Sequence, residues 1–308
     1  MNKRHKYFII YPLLTISMML WAYSYIWAKI ALEFYGPLTV IFSRTLLSAI
    51  ILLPVLLVLK KLVKIKKQHI PHFMLLAFFE PFLYFIGETT GLSKLDASTS
   101  SVIISTIPLF TPFAARYFLK EKVTILNIVG IVVSIFGIGV IVLTKGFKLE
   151  ISGNGLIFLA LAVVAAIGYS VKIKLMPGNY SIFTTIFYQN IIGALYFLPI
   201  MLSFDLSHNI ATGFVPEAGI AILKLGFFAS TLAFLFYMYA LKFMEITKVN
   251  IFTNVIPVFT ILFSWLVLNE MITAKKIIGM SMVILGVLIS QLNFRLLKSK
   301  SSDKYRGT

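Results

Sequence analysis

The stretch at residues 104–124 reads ISTIPLFTPFAARYFLKEKVT, and residues 253–273, which lie 149 positions later, read TNVIPVFTILFSWLVLNEMIT. The two stretches share Ile107, Pro108, Phe110, Thr111, Leu119, Glu121 and Thr124, which recur as Ile256, Pro257, Phe259, Thr260, Leu268, Glu270 and Thr273. The match extends over residues 92–137 and 241–286. Further upstream it continues at an offset of 145, where Tyr35, Thr39 and Pro54 recur as Tyr180, Thr184 and Pro199. The chain is therefore two copies of one unit.

Each copy contains five apolar segments of about 20 residues, the length that a transmembrane helix requires. They cover about 8–31, 38–59, 72–92, 97–118, 125–144, 153–171, 181–203, 219–241, 247–268 and 274–292. Because five is an odd number, the second copy must enter the membrane from the other side. Inverted repeats of this kind form secondary transporters, with a site between the halves near the bilayer midplane. The sequence predicts an all-α membrane protein with ten transmembrane helices in two inverted five-helix repeats, at 1–148 and 149–294, and a basic cytoplasmic tail at 295–308.

Lysine and arginine are distributed unequally between alternate loops. One side of the predicted bundle carries 20 of the 28 basic residues and the other side carries 6, while Lys29 and Arg44 lie within spans. Cytoplasmic loops carry the excess of basic residues in membrane proteins. Both termini are therefore predicted to be cytoplasmic, in a multi-pass protein of the cell membrane. We call the side with 20 basic residues the basic side, and the other one the opposite side.

The composition excludes several classes of protein. The chain is 59% hydrophobic and only 13% charged, whereas soluble domains have about 25% charged residues. Its net charge of +17 is divided among short loop clusters, which argues against a nucleic-acid partner. It has no cysteine, no metal-binding motif, no phosphate-binding glycine loop and no paired catalytic residues, so we expect no cofactor, no metal site and no enzymatic activity. The predicted partners are the lipid bilayer and a small-molecule substrate.

Glu80 is the deepest charged residue, nine residues into the third predicted span. A charge at a helix centre costs about 2.5–3.5 kcal/mol on insertion scales, so Glu80 should face protein or water. Pro81 follows directly and should kink the helix. The counterpart of Glu80 in the second copy is Ala229, so the charge exists in one half only. We expect Glu80 to bind substrate or a coupling proton; the alternative is a structural ion pair or hydrogen bond.

Three further charged residues, Lys29, Arg44 and Glu88, lie at similar depth toward the opposite side of the first three spans. One interpretation is an ion-pair cluster that ties three helices together, with Lys29 also able to extend toward the membrane surface. The other interpretation is a gate that breaks and re-forms during transport. The sequence leaves both open.

Uncharged polar and aromatic residues also gather at mid-depth, and we take them with Glu80 as candidate substrate-binding or coupling residues. They are Trp21, Tyr23, Ser24, Ser105, Tyr169, Tyr188, Gln189, Asn190, Ser230 and Asn254. For any one of them the alternative is an ordinary interhelical hydrogen bond, worth about 0.6 kcal/mol. Spans five and ten instead carry glycine pairs, Gly130 with Gly137 and Gly279 with Gly286, which predicts close helix packing and a surface for a homodimer.

Several of these motifs resemble those of the drug/metabolite transporter superfamily, in its ten-span EamA-type members. The motif Trp21-Ala22-Tyr23-Ser24 is similar to the family's Trp-Gly-x-x element, and Arg44 stands where the family has an arginine in span two. The strings Leu119-Lys120-Glu121-Lys122 and Ile107-Pro108-Leu109-Phe110 are also similar. The sequence departs from the family in span six, where Gly168-Tyr169-Ser170 lacks the frequent tryptophan.

The resemblance implies a secondary transporter that moves small metabolites across the cytoplasmic membrane, amino acids being the first expectation and export the expected direction. The repeats would move about a central cavity by alternating access. One alternative is a multidrug or cation efflux transporter, which would have an acidic and aromatic pocket. Another is a non-transport membrane protein such as a lipid scramblase, which would have a cavity open laterally to lipid.

Overall fold

The computed structural model of the chain describes residues 3–120, 123–143, 151–178, 180–243 and 252–291. Within these ranges the chain is a bundle of apolar helices, numbered here in chain order: α1 (Lys3–Leu32), α2 (Pro37–Val58), α3 (Lys67–Lys94), α4 (Ala97–Phe118), α5 (Ile125–Val142), α6 (Gly153–Lys174), α7 (Ile182–Phe204), α8 (216–243), α9 (Ile256–Leu268) and α10 (Ala274–Gln291). The loop glutamate Glu121, the segment 244–251 and the tail 295–308 lie outside the described residues.

The predicted all-α membrane fold is confirmed. Within the described residues, nine segments are long and apolar enough to cross a membrane, and α9 is a shorter apolar helix. The chain is therefore a multi-pass membrane protein. The segment 204–218, which the sequence predicts as a connection, contains the short helix Leu206–Thr212.

The helix contacts of the two repeats correspond to each other. If each helix is replaced by its counterpart in the other repeat, the same pattern of contacts results. Helix α2 packs on α7, and α5 packs on α10, so each of these pairs maps onto itself. Helix α1 packs on α8 and α9, and its counterpart α6 packs on α3 and α4. This is the arrangement that two inverted repeats produce around a pseudo-two-fold axis in the membrane plane.

The repeated loop residues explain part of the sequence match, because each copy uses them to hold a connection of the other copy. Tyr35 donates its hydroxyl to the carbonyl of Gly213, at 3.0 Å, while its counterpart Tyr180 accepts from the backbone N–H of Lys66, at 3.1 Å. Thr39 and its counterpart Thr184 do the same. The N–H of Thr39 donates to Asp205 Oδ2 at 2.9 Å, and Thr184 Oγ1 donates to the carbonyl of Lys61 at 2.6 Å.

Helices α5 and α10 form a close pair through glycines, as predicted. A Cβ added to Gly137 would lie 2.6 Å from the carbonyl oxygen of Gly279, and Gly130 and Gly286 face each other in the same way. Ser134 Oγ donates to the carbonyl of Val283 at 3.1 Å. The absence of side chains at these glycines lets the two backbones approach closely enough for such bonds. The homodimer expected at these helices stays a prediction.

Helices α3, α4 and α8 break their regular pattern near mid-length, and a turn at the repeat-equivalent position of the α4 break comes before α9. In α3 the segment Phe78–Leu83 is π-helical and Glu80 is extended, with φ −145° and ψ 121°. The repeat-equivalent segment of α8, Leu225–Ala233, is also π-helical. Helix α4 turns at residues 105–106 before Pro108, and a turn at residues 254–255 precedes Pro257 at the start of α9. Such breaks are frequent at functional sites and free backbone groups at that depth.

Candidate functional site

Glu80 lies in the break of α3, and its carboxylate has no direct partner in the part of the chain the structure describes. Its side chain is half-buried, and neither oxygen is among the buried polar atoms that lack a hydrogen bond, so both oxygens reach space accessible to solvent. Five groups lie within electrostatic range of it, namely Arg44, Tyr84, Glu88, Tyr169 and Tyr237. Glu80 is therefore a partly accessible carboxylate near the middle of α3, with polar groups from several helices around it.

Arg44 and Glu88 form an ion pair beside Glu80. Arg44 Nη1 lies 4.0 Å from Glu88 Oε2, and the Arg44 guanidinium stacks over the ring of Phe85 at 4.4 Å. Arg44 Nε also donates to Ser230 Oγ at 3.2 Å, which joins α2 to the π-helical segment of α8. Tyr84 donates its hydroxyl to Glu88 Oε1 at 2.9 Å. Ser230 and Phe85 therefore position the charge of Arg44, and Tyr84 positions the charge of Glu88.

The second repeat contributes a neutral counterpart of this pair. Tyr169 donates its hydroxyl to Gln189 Oε1 at 3.4 Å. Gln189 is the repeat counterpart of Arg44, at offset 145, and Tyr237 is the repeat counterpart of Glu88, at offset 149. The site therefore has a charged pair in one repeat and uncharged polar residues at the equivalent positions of the other.

Aromatic side chains from α1 and α8 line the same region. The ring of Trp21 lies 5.1 Å from that of Tyr237 and 5.0 Å from that of Phe234, and Trp21 Nε1 donates to the carbonyl of Ala229 at 3.2 Å. Ala229 is the counterpart of Glu80. Trp21, Tyr169 and Tyr237 are all half-buried, so each presents part of its surface to accessible space.

The structure gathers seven of the predicted residues in one region: Trp21, Arg44, Glu80, Glu88, Tyr169, Gln189 and Ser230. We call these seven, together with Tyr237, the central cluster. Tyr237 was not singled out from the sequence. Its alignment with Glu88 in the repeat was the signal that could have identified it.

The other predicted site residues have local or structural partners. Ser24 and Ser105 donate within their own helices, to the carbonyls of Trp21 and Val102. Asn190 donates to Ser48 Oγ at 3.0 Å, and Asn254 donates to Gln291 Oε1 at 2.8 Å. These four side chains therefore form helix-stabilising hydrogen bonds in this structure.

Two aromatic candidates pack away from the central cluster. The ring of Tyr23 contacts Trp27 and Phe263, each at 4.9 Å between centroids. The ring of Tyr188 contacts Phe187 at 5.3 Å and Phe73 at 6.0 Å. Both rings fill apolar interfaces between helices.

Lys29 does not join Arg44 and Glu88, which corrects the predicted three-residue cluster. It lies near the end of α1 on the opposite side, within electrostatic range of Glu270, Asp96 and Glu33. The α1 position that faces Glu88 is that of Tyr25, four residues earlier. One turn of helix thus separates the position that faces the ion pair from the one that faces the loops.

A set of contacts fastens the loop after α9 to the start of α4, and we call it the opposite-side latch. Glu270 Oε1 accepts from the backbone N–H of Ala97 at 2.6 Å, and Glu270 Oε2 accepts from Ser98 Oγ at 2.6 Å and from the Ser98 N–H at 3.2 Å. Lys276 pairs with Asp96 next to them. A carboxylate at a helix N-terminus is favourable because it binds free N–H groups and interacts with the helix dipole.

Within the described residues, some helix contacts toward the opposite side have no equally extensive counterpart toward the basic side. On the opposite side, α1 packs on α3 and α4, and α2 packs on the Tyr84–Lys94 segment of α3. The equivalent segment of α8, Phe234–Phe243, packs on α1 but makes no comparable contact with α6 or α7 within the described residues.

Comparison with known proteins identifies a family over most of the chain. The profile described as the EamA-like transporter family matches residues 8–143 and again residues 153–292. The chain is 23% identical to the uncharacterized transporter YoaV of Bacillus subtilis (strain 168) over 279 residues, which cover 90% of this chain and 94% of that protein. It is 25% identical to an uncharacterized transporter of Archaeoglobus fulgidus, over 90% of this chain and 96% of that protein.

One further relative and one solved structure also match the chain. The uncharacterized transporter YcxC of Bacillus subtilis (strain 168) is 27% identical and covers 88% of each chain. A solved crystal structure has the same fold, with a TM-score of 0.62 over 92% of this chain and 98% of the other, at 13% identity.

Proposed function

The chain belongs to the EamA-like transporter family, and we propose that it is a secondary transporter of small polar or amphipathic metabolites, with amino acids as the first candidates. It would act in the cytoplasmic membrane with both termini in the cytoplasm, as the excess of basic residues on one side favours. The observation that carries the proposal is the central cluster. An accessible carboxylate lies at mid-membrane, between two inverted repeats, where transporters of this architecture bind their substrates.

The mechanism we propose is alternating access by movement of one repeat against the other. The opposite-side latch and the packing around it would close one entrance, so this conformation would open the central cluster toward the basic side. Breaking the contacts of Glu270 and forming the equivalent packing of Phe234–Phe243 would reverse the access. Both conformations would keep the self-paired helices α2/α7 and α5/α10 together, because the pseudo-two-fold exchange leaves these pairs unchanged.

Glu80 would couple the movement to protons. Carboxylates within transmembrane segments form proton relays in many pumps and transporters. Substrate and proton would then compete for the same group. The titratable and charged groups around it are Arg44, Tyr84, Glu88, Tyr169 and Tyr237. Of the two acidic residues in the central cluster, Glu80 is the one without an ion pair or hydrogen bond to a described residue.

A multidrug or cation efflux transporter is the second candidate, and one observation favours it. The central cluster combines an acidic group with the aromatic rings of Trp21, Tyr169 and Tyr237, which is the chemistry that attracts lipophilic cations. The two candidates differ in the breadth of their substrates more than in mechanism.

Solute counterflow in proteoliposomes tests the proposal. Vesicles with the purified chain would be loaded with single amino acids or organic cations and exposed to a trace of the same labelled solute. We expect accumulation above protein-free vesicles for at least one solute. Failure of every solute, together with accelerated exchange of fluorescent phospholipid between leaflets, would contradict transport and favour a scramblase.

A further inference from the structure

The central cluster contains more fixed negative than positive charge. Arg44 is matched by Glu88, with which it forms an ion pair at 4.0 Å. Glu80 is the remaining ionisable carboxylate, and it has no ion pair or hydrogen bond with another described residue. When its carboxylate is ionised, the site therefore carries one negative charge that no residue of the central cluster balances.

The arginine is poorly placed to bind a substrate carboxylate. Arg44 is 6% exposed, its guanidinium lies on the Phe85 ring, and its Nε is bonded to Ser230. A carboxylate that approached it would compete with Glu88, which the hydroxyl of Tyr84 also holds. Binding there would leave the buried Glu88 without its partner, which is strongly unfavourable.

The surroundings of Glu80 suit an ammonium group instead. The polar groups contributed by the second repeat are uncharged, namely Tyr169, Gln189 and Tyr237. The rings of Trp21 and Tyr237 lie side by side at 5.1 Å and are half-buried. Aromatic faces attract cations, more strongly where water is excluded, and they also accept an apolar body.

We propose that the central cluster recognises its substrate by an ammonium group at Glu80, with the apolar part against the rings of Trp21 and Tyr237, and that it does not require a carboxylate. The substrate class is then organic amines with an apolar body, including amino acids that bind through their amino group. This inference rests on the proposed transport function. It narrows that function by assigning the charge of the substrate group that the central cluster binds.

Three compounds with the same phenyl ring separate the possibilities: phenethylamine is a cation, phenylalanine a zwitterion and 3-phenylpropionate an anion. Binding would be measured to the full chain in lipid nanodiscs, by tryptophan fluorescence and thermal stabilisation. We expect phenethylamine to bind at least about tenfold more tightly than 3-phenylpropionate, as one charge-assisted contact of about 1.4 kcal/mol would produce. Equal binding of the two, tighter binding of the anion, or no binding of the amine at millimolar concentration would overturn the proposal.

Variants of the carboxylate give a second measure. Glu80→Gln should abolish the preference for the amine over the anion, whereas Glu80→Asp should still bind the amine more tightly than the anion. Glu217→Gln, at an exposed glutamate on the opposite side, should leave the binding of all three compounds unchanged. An unchanged preference in Glu80→Gln would overturn the assignment of the ammonium to Glu80.

Counterflow with the same compounds distinguishes this inference from the proposed function. Faster transport of the anion than of the amine would overturn the inference while the transport function stands. Binding of the amine that depends on Glu80, without movement of any of the three, would support the inference and contradict transport.

Discussion

The carboxylate of Glu270 accepts a hydrogen bond from the backbone N–H of Ala97, with 2.6 Å between the two atoms. Glu270 belongs to the loop after α9 in the second repeat, and Ala97 begins α4 in the first repeat. Their contact therefore joins the two repeats on one side of the membrane. Ser98 strengthens it through its hydroxyl and its N–H. If the repeats move against each other during transport, this junction must open.

Removal of the Glu270 side chain is expected to open the opposite side. Hydrogen bonds to a charged group contribute about 1.5–3 kcal/mol each, so Glu270→Ala should shift the access equilibrium by about tenfold or more. A cysteine placed at Ala28, which is 3% exposed in an otherwise cysteine-free chain, reports the change. A membrane-impermeant maleimide added from the opposite side should label it faster in Glu270→Ala.

The exposed Glu217 provides the matched control for this experiment, because it lies on the same side and makes no contact in the latch. Glu217→Ala should label at the rate of the parent chain. Equal rates in all three proteins would show that Glu270 fastens the loop without controlling access.

The ion pair of Arg44 and Glu88 is expected to show strong coupling in a double-mutant cycle. Removal of one partner from a buried pair costs about 3–5 kcal/mol, because the other charge is left without compensation. Arg44→Gln and Glu88→Gln should therefore each lower the thermal stability of the detergent-solubilised protein. The double variant should be more stable than the sum of the two losses predicts, whereas additive losses would show that the pair contributes no interaction of its own.

The glycines of α5 offer a test of helix packing with a control two residues away. A Cβ at Gly137 would press against the carbonyl of Gly279, whereas a Cβ at Gly139 would have no atom within 4 Å. Gly137→Ala should destabilise the protein by about 1–3 kcal/mol, as overpacking does. Gly139→Ala should be neutral or stabilising, because alanine favours the helix by about 1 kcal/mol over glycine. Thermal unfolding of both variants, followed by size-exclusion chromatography, measures the difference, and equal stabilities would contradict the pairing of α5 with α10.

The fold was predictable because the repeat and the hydrophobic lengths act over the whole chain. An odd number of apolar spans per copy requires inversion, and the matched glycines require a close helix pair. The depth of Glu80 was predictable for the same reason, because position along a span fixes depth. Neither inference depends on how a helix is rotated about its axis.

The rotation of each helix was the part that the sequence did not determine. Asn254 bonds Gln291 of α10, and the ring of Tyr23 packs against Trp27. Their positions along the spans were predicted, but position along a span does not determine which face of a helix turns toward the central cluster. Two of the acidic residues near Lys29, Glu270 and Asp96, come from loops far away in the sequence, so spacing could not reveal them. Tyr237 could have been predicted as a site residue, because the repeat aligns it with Glu88.

Transport by Glu80→Gln tests the central claim most directly. The purified variant and the Glu217→Gln control would be reconstituted in proteoliposomes, and counterflow of a transported solute would be measured from mildly acidic to mildly basic pH. We predict that Glu80→Gln inserts and elutes like the parent chain but loses transport or its dependence on pH, while Glu217→Gln keeps both. A Glu80→Gln variant with the parent rate and the parent pH profile would contradict the assignment of Glu80 as the coupling residue.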